Sequence, residues 1–196
     1  MGGGFSVAQG IDKAGEERRV VGIVGDSTFF HSGITGLLDV VYNKGKSVLV
    51  VLDNRTTAMT GHQDHPGTGT TLMGEPTVAV SIEAVGKACG MQDVVTVNPY
   101  NLKETQAAFS DALSRTTPSL IVSRAPCPLR ERKNVGPIKK ILPDKCRSCF
   151  ACVRLGCPAI EAREKGKPPV IDASLCAGCS LCCQVCAFDA IVEESK

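Results

Sequence analysis

The stretch RVVGIVGDSTFFHSGITGLLDVVYNKGKSVLVVLDN, Arg19 to Asn54, decides the fold class. Its opening, RVVGIVG, is a β-branched apolar run closed by glycine, as expected of a strand buried on both faces and therefore of a parallel sheet. SGITGLLDVVYNKGK (Ser32 to Lys46) then places Ile34, Leu37, Leu38, Val41 and Tyr42 at helical spacing, and SVLVVLDN (Ser47 to Asn54) supplies a second apolar strand. Together they make a β-α-β unit. Downstream, Ser81 to Gly90 reads as helix, Asp93 to Val97 as strand, Leu102 to Arg115 as helix and Ser119 to Arg124 as strand. The alternation predicts a doubly wound, mostly parallel α/β domain over residues 1–125.

The 196 residues allow one medium domain plus a small one. A net charge of +2 with acids and bases well mixed calls for neither nucleic acid nor an anionic membrane as partner. No apolar run nears the roughly 20 residues of a membrane-spanning helix, and MGGGFSVAQG has neither the basic region nor the apolar core of a signal peptide, so a cytoplasmic location is expected. Nine of the eleven cysteines fall between Cys146 and Cys186 in tight C-x-x-C spacing, which here favours metal ligation over disulfides. RAPCPLRERKNVGPIKK (Arg124 to Lys140) is basic and punctuated by proline, and predicts a linker over 126–139 before a small domain at 140–196.

Open parallel sheets bind ligands at the carboxyl ends of their strands, where both GDS and LDN sit. Asp26 offers a carboxylate, Asn54 a side-chain carbonyl and Thr56 a backbone carbonyl. Three hard oxygens of this kind suit Mg²⁺, which completes its octahedron with phosphate oxygens and water, so a diphosphate ligand is expected. The alternative is that Asp26 caps a helix and Asn54 merely begins a turn.

Gly25-Asp26-Ser27, followed after 25 residues by Asp53-Asn54, resembles the thiamine diphosphate motif, G-D-G, about 25 residues, then N-N, with Ser27 and Asp53 as departures. Thr28 to Gly69 closely resembles the thiamine-binding segment of indolepyruvate ferredoxin oxidoreductase large subunits, and the likeness extends through the cysteine-rich tail. It implies that Asp26, Asn54 and the Thr56 carbonyl hold Mg²⁺ against the diphosphate, that Gly25 and Ser27 let the backbone approach it, and that Thr56 to Gly69 forms a loop over the cofactor. His31 and His62 are candidates to face the substrate carboxylate or the reacting carbon; hydrogen-bonded structural histidines are the alternative. Met59 reads as packing against a ring.

CRSCFACVRLGCP supplies Cys146, Cys149, Cys152 and Cys157, and CAGCSLCCQVCA supplies Cys176, Cys179, Cys182 and Cys186. Each run has the C-x-x-C-x-x-C core of bacterial two-cluster ferredoxins, which implies two 4Fe-4S clusters. In those proteins the distant cysteine of one run serves the other cluster, giving Cys146, Cys149, Cys152 and Cys186 for one and Cys176, Cys179, Cys182 and Cys157 for the second. Two departures stand out: four residues separate Cys152 from Cys157, and Ala187 replaces the usual proline. Cys183 competes with Cys182, but only Cys182 keeps the x-x spacing from Cys179. A pair of zinc ribbons is the competing reading. The flanks repeat as well, ILPDKC being echoed by VIDASLC and PAI by DAI. Cys89 and Cys127 lie outside both runs and read as small apolar residues.

The resemblance implies oxidative decarboxylation of an aryl pyruvate, indolepyruvate, to its acyl-CoA, with coenzyme A receiving the acyl group and electrons leaving through the clusters to an external ferredoxin. In that family the catalytic glutamate lies in an upstream pyrimidine-side domain not seen in this sequence, and a small (beta) subunit completes the enzyme, so the isolated chain is expected to be inactive. Two alternatives remain: another 2-oxoacid such as pyruvate or a branched-chain acid, and an electron-transfer ferredoxin module carrying a vestigial or split thiamine domain.

Overall fold

The computed structural model describes residues 1–131, 135–164 and 166–194. The chain divides into two compact units, Met1–Arg130 and Glu131–Lys196.

The first unit is built on four parallel strands, β1 (Val21–Gly25), β2 (Val48–Asp53), β3 (Asp93–Val97) and β4 (Ser119–Arg124), in the order β1-β2-β4-β3. The helices that accompany them are α1 (Gly3–Lys13), α2 (Asp26–Thr28), α3 (Ile34–Tyr42), α4 (Ile82–Ala88), α5 (Leu102–Ser114), α6 (Pro128–Glu131) and, in the second unit, α7 (Leu181–Gln184). Phe5, Phe29, Leu37, Val40, Ile82 and Met91 pack on one sheet face against Val24, Leu49, Val51, Leu120 and Val122. Ala108, Phe109 and Ala112 of α5 cover the other, over Val48, Val50, Val97 and Ile121. This is how right-handed crossovers must distribute the helices: β1 to β2 to β3 moves one way across the sheet, and the return step from β3 to β4 needs its helix on the opposite face. Each fully buried Phe or Leu contributes about 1.5–3 kcal/mol of transfer free energy.

Two features differ from the sequence reading. MGGGFSVAQG forms most of α1, although three successive glycines suppress any helical signal. The glycines serve packing, since a Cβ on Gly22 would lie 2.7 Å from the Gly4 carbonyl oxygen, so α1 can approach β1 only without side chains there. The helix expected from Ser32 instead starts at Asp26, directly after the strand, and passes through a π-helical turn at Phe29–Gly33 before α3. Single π-turns inside helices are common at functional sites.

The second unit contains two antiparallel ribbons, β5 (Lys139–Ile141) with β8 (Ile191–Glu193), and β6 (Ile160–Glu161) with β7 (Val170–Ile171). The halves repeat in detail. Cys146 N–H donates to Leu142 O and Cys176 N–H to Asp172 O, both at 3.1 Å, while Leu142 N–H reaches Ala190 O (2.7 Å) and Asp172 N–H reaches Ala159 O (2.8 Å). Of the expected linker over 126–139, α6 takes up residues to Glu131, Val135 N–H donates to Ala177 O at 2.8 Å, and Lys139 opens β5. Residues 132–134 lie outside the described residues.

Candidate cofactor and metal centre

β1 and β2 pair in register with Gly25 beside Leu52, so Asp26 and the turn after Asp53 emerge side by side at the carboxyl edge of the sheet. Asp26 opens α2 and is 3% exposed. Its Oδ1 accepts the Ser27 N–H at 2.7 Å. Its Oδ2 lies 3.1 Å from His65 Nε2, a polar contact rather than a well-formed hydrogen bond. Burial acts to raise the Asp26 pKa; the polar contact with His65 and the backbone N–H groups of Ser27 and Arg55 outweigh it and hold the carboxyl below its ordinary value. Asp26 is therefore a buried carboxylate that stays ionised, with one oxygen unsatisfied.

The neighbouring turn is built by local bonds. Asn54 Oδ1 accepts the Thr56 N–H (3.1 Å), and the Asn54 carbonyl accepts from Cys127 N–H (3.0 Å). Thr56 is 1% exposed; its carbonyl accepts the Ala58 N–H, and its hydroxyl is buried without a partner. Asp53, 2% exposed, is engaged elsewhere, its Oδ2 accepting from Arg124 Nε at 2.6 Å and its Oδ1 from the Arg55 N–H at 3.2 Å. Arg124 Nη2 also meets Glu83 Oε1 at 2.7 Å, which the Thr96 hydroxyl reaches at the same distance.

Residues 54–81 form the long connection from β2 to α4. It is organised by bridges between Thr57 and Gln63 and between Thr70 and Pro76. Arg130 pins it from outside, donating to Arg55 O (2.8 Å) and Asp64 Oδ1 (3.1 Å). His62, half-buried with φ +64° and a buried, unpartnered Nδ1, shares with His65 an open cleft of about 470 Å³, whose other lining residues include Asp64 and Thr70. His31 sits exposed on the π-helical turn. Met59 is fully exposed and packs on no ring. The histidine that the sequence reading missed is His65, 6% exposed, whose only sequence signal is its place before Pro66 in a Gly-rich loop.

All eleven cysteines of the chain are free thiols. In the second unit Cys146, Cys149, Cys152 and Cys186 line one small cavity of about 20 Å³, walled by Ile141, Phe150, Phe188 and Ile191. Two of these sulfurs accept backbone N–H groups at 3.4 Å, Cys146 from Ser148 and Cys186 from Ala190. Burial, then the adjacent Cys183, Cys179 and Cys176, push the Cys182 thiol up to about 12. In the first unit Cys127 is buried and Cys89 half-buried. Among the described residues no three His, Cys, Asp or Glu side chains are drawn tightly enough round one point to hold an ion as they stand.

Residues 1–123 match the thiamine pyrophosphate enzyme C-terminal TPP binding domain. The chain belongs to this family. Its curated relatives are named indolepyruvate oxidoreductase subunit IorA: that of Methanothermobacter marburgensis is 43% identical over 100% of this chain and 31% of its own length, and that of Pyrococcus abyssi 41% identical over 97% and 32%. This thiamine pyrophosphate enzyme chain thus spans about a third of the relatives it matches. Among solved structures, a 2-oxoglutarate:ferredoxin oxidoreductase from Magnetococcus marinus superposes with a TM-score of 0.59 at 19% identity, covering 87% of this chain and 62% of that one, a likeness of fold.

The residues fit the cofactor's metal end. A thiamine pyrophosphate enzyme needs hard oxygen donors for the cation that neutralises the diphosphate, and Asp26 Oδ2 and the Thr56 hydroxyl are buried oxygens without hydrogen-bond partners. A buried ionised carboxylate is costly unless a counter-charge meets it. The cysteine cavity has the chemistry a thiolate-held cluster would use, four free thiols, an apolar wall and N–H donors to sulfur, but as it stands it is only about 20 Å³.

Proposed function

We propose that this chain is the thiamine-binding and electron-transfer portion of a 2-oxoacid:ferredoxin oxidoreductase that oxidatively decarboxylates an aryl pyruvate, indolepyruvate, to its acyl-CoA. The observation that carries the reading is Asp26, buried and without a hydrogen-bond partner at Oδ2 beside the Asn54–Thr56 turn; the names of the IorA relatives support the substrate.

Bound thiamine diphosphate supplies the carbanion chemistry that releases carbon dioxide from the 2-oxoacid. This chain's share is placement. Asp26, Asn54 and Thr56 would hold Mg²⁺ against the diphosphate, with Gly25 and Ser27 leaving room for the backbone to approach it. His62, in the cleft, would meet the substrate carboxylate; His31, on the exposed π-turn, is the second candidate. Cys146, Cys149, Cys152 and Cys186 would ligate one 4Fe-4S cluster, and Cys176, Cys179, Cys182 and Cys157 the other, supplying one-electron acceptors of low potential. An upstream pyrimidine-side domain with the catalytic glutamate, a small subunit, coenzyme A and an external ferredoxin complete the reaction, in the cytoplasm.

The test is anaerobic. The chain is reconstituted with iron and sulfide, its iron counted, and thiamine diphosphate titrated in calorimetry with and without Mg²⁺. About eight irons with Mg²⁺-dependent binding is the expected result. Iron without any thiamine diphosphate binding would leave a ferredoxin module on a vestigial domain.

A further inference from the structure

We propose that His65 is a positioning residue for the Asp26 carboxylate, fixing the plane in which it meets a divalent cation and so making the site selective for Mg²⁺ over Ca²⁺. The inference rests on Asp26 being a metal ligand, as proposed above. His65 comes from the long loop, not from the sheet, yet its ring is 1% exposed and lies 3.1 Å from Asp26 Oδ2.

The ring is held on every side that matters. Its Nδ1 accepts the Gly67 N–H at 3.1 Å, which leaves the proton of the neutral ring on Nε2, the nitrogen facing Asp26. Phe30 stacks against it with centroids 5.7 Å apart and planes 30° apart. A Cβ on Gly67 would lie 2.8 Å from Phe30 and 3.0 Å from His65 Cε1, so the loop is shaped to admit the ring. With the Ser27 N–H on Oδ1 and the imidazole against Oδ2, the carboxylate cannot rotate freely. Mg²⁺ demands near-ideal octahedral placement of each oxygen, whereas Ca²⁺ accepts scattered and bidentate ligands. A carboxylate set loose should therefore harm Mg²⁺ far more.

The experiment uses the full chain and two variants. His65→Asn keeps an acceptor near the Nδ1 position for Gly67 but cannot reach Asp26; His65→Gln carries an N–H near the Nε2 position. Calorimetric titration with Mg²⁺ and, separately, Ca²⁺ at saturating thiamine diphosphate gives the readout. His65→Asn should weaken Mg²⁺ about 10- to 100-fold and Ca²⁺ less than about threefold, and His65→Gln should recover most of the Mg²⁺ loss. Equal losses for both ions, as a loosened loop would give, or unchanged Mg²⁺ affinity, would overturn the proposal. If His65→Asn folds poorly, His65→Phe, which keeps the ring stack on Phe30 but has no N–H for Asp26, takes its place, a collapsed ratio of Mg²⁺ to Ca²⁺ affinity supporting the proposal and a ratio at the wild-type value overturning it. A wild-type chain showing no Mg²⁺-dependent binding would instead remove the metal-ligand reading of Asp26, and this proposal with it.

Discussion

Arg124→Met should destabilise the first unit by about 2 kcal/mol. Arg124 joins two acids from different elements, Asp53 at the end of β2 and Glu83 in α4, at 2.6 and 2.7 Å. Asp53 is 2% exposed, and removing one partner of a buried pair costs about 3–5 kcal/mol because the other charge is left stranded. Two facts reduce that figure: the Arg55 N–H still reaches Asp53 at 3.2 Å, and the Arg124 side chain is 29% exposed. A loss of about 2 kcal/mol lowers the melting temperature of a unit this size by roughly 6–10 °C. Circular dichroism melts of the wild type, Arg124→Met, Asp53→Asn and the double variant complete the cycle. The double variant should be more stable than the sum of the singles predicts, with a coupling of about 1 kcal/mol or more. Additivity within about 0.5 kcal/mol, or an Arg124→Met melt indistinguishable from wild type, would refute the reasoning. Because Asn54 follows Asp53 directly, thiamine diphosphate affinity should fall in Arg124→Met too.

Asp26→Ala should abolish Mg²⁺-dependent thiamine diphosphate binding in calorimetry while the visible absorption of the reconstituted iron centres stays unchanged; loss of both would contradict two independent units. Cys186→Ser should damage the centre built on Cys146, Cys149 and Cys152, read by electron paramagnetic resonance, and damage confined to the other centre would contradict the crossed ligation. Glu83→Gln tests acid stability. Burial would raise the Glu83 pKa, but the Thr96 and Ser81 hydroxyls, its backbone N–H and Arg124 bring it from 4.5 down to about 2. A depressed carboxylate contributes stability above its unfolded pKa and loses it as pH falls toward the folded one, so the wild type should lose more melting temperature than Glu83→Gln between about pH 5 and pH 2.5.

The sheet was legible because parallel strands write themselves as β-branched runs, but the expected burial of RVVGIVG on both faces is not met: β1 lies at the sheet edge with Val21 and Ile23 exposed, whereas β2 is buried over most of its length. α1 was not legible, because its glycines are there for close approach to β1, and close approach leaves no helical signature. The π-turn is likewise invisible, since Phe29 and Phe30 differ in partner and not in type: Phe29 meets Phe5 and Phe30 meets His65. Asp26 and Asn54 announce themselves by standing at strand ends, whereas His65 gains its place through a loop that folds back, a long-range arrangement no local pattern encodes. Asp53 illustrates the limit from the other side. It departs from the thiamine motif, and its acid serves Arg124, seventy-one residues away. Cysteine spacing is plain to read, but the gathering of Cys186 with Cys146, Cys149 and Cys152 round one cavity depends on β5 pairing with β8.

That ribbon has a bearing on the order in which the protein is made. β5 finds its partner only in Ile191–Glu193, some fifty residues later, and Cys186 arrives just before it. The four-stranded sheet, by contrast, has all its strands once Arg124 has been synthesised. The first unit can therefore fold while the second is still emerging from the ribosome. The cavity shared by Cys146 and Cys186 can close only after translation of residue 193, and a nascent chain stalled before it would carry a folded first unit trailing open thiols.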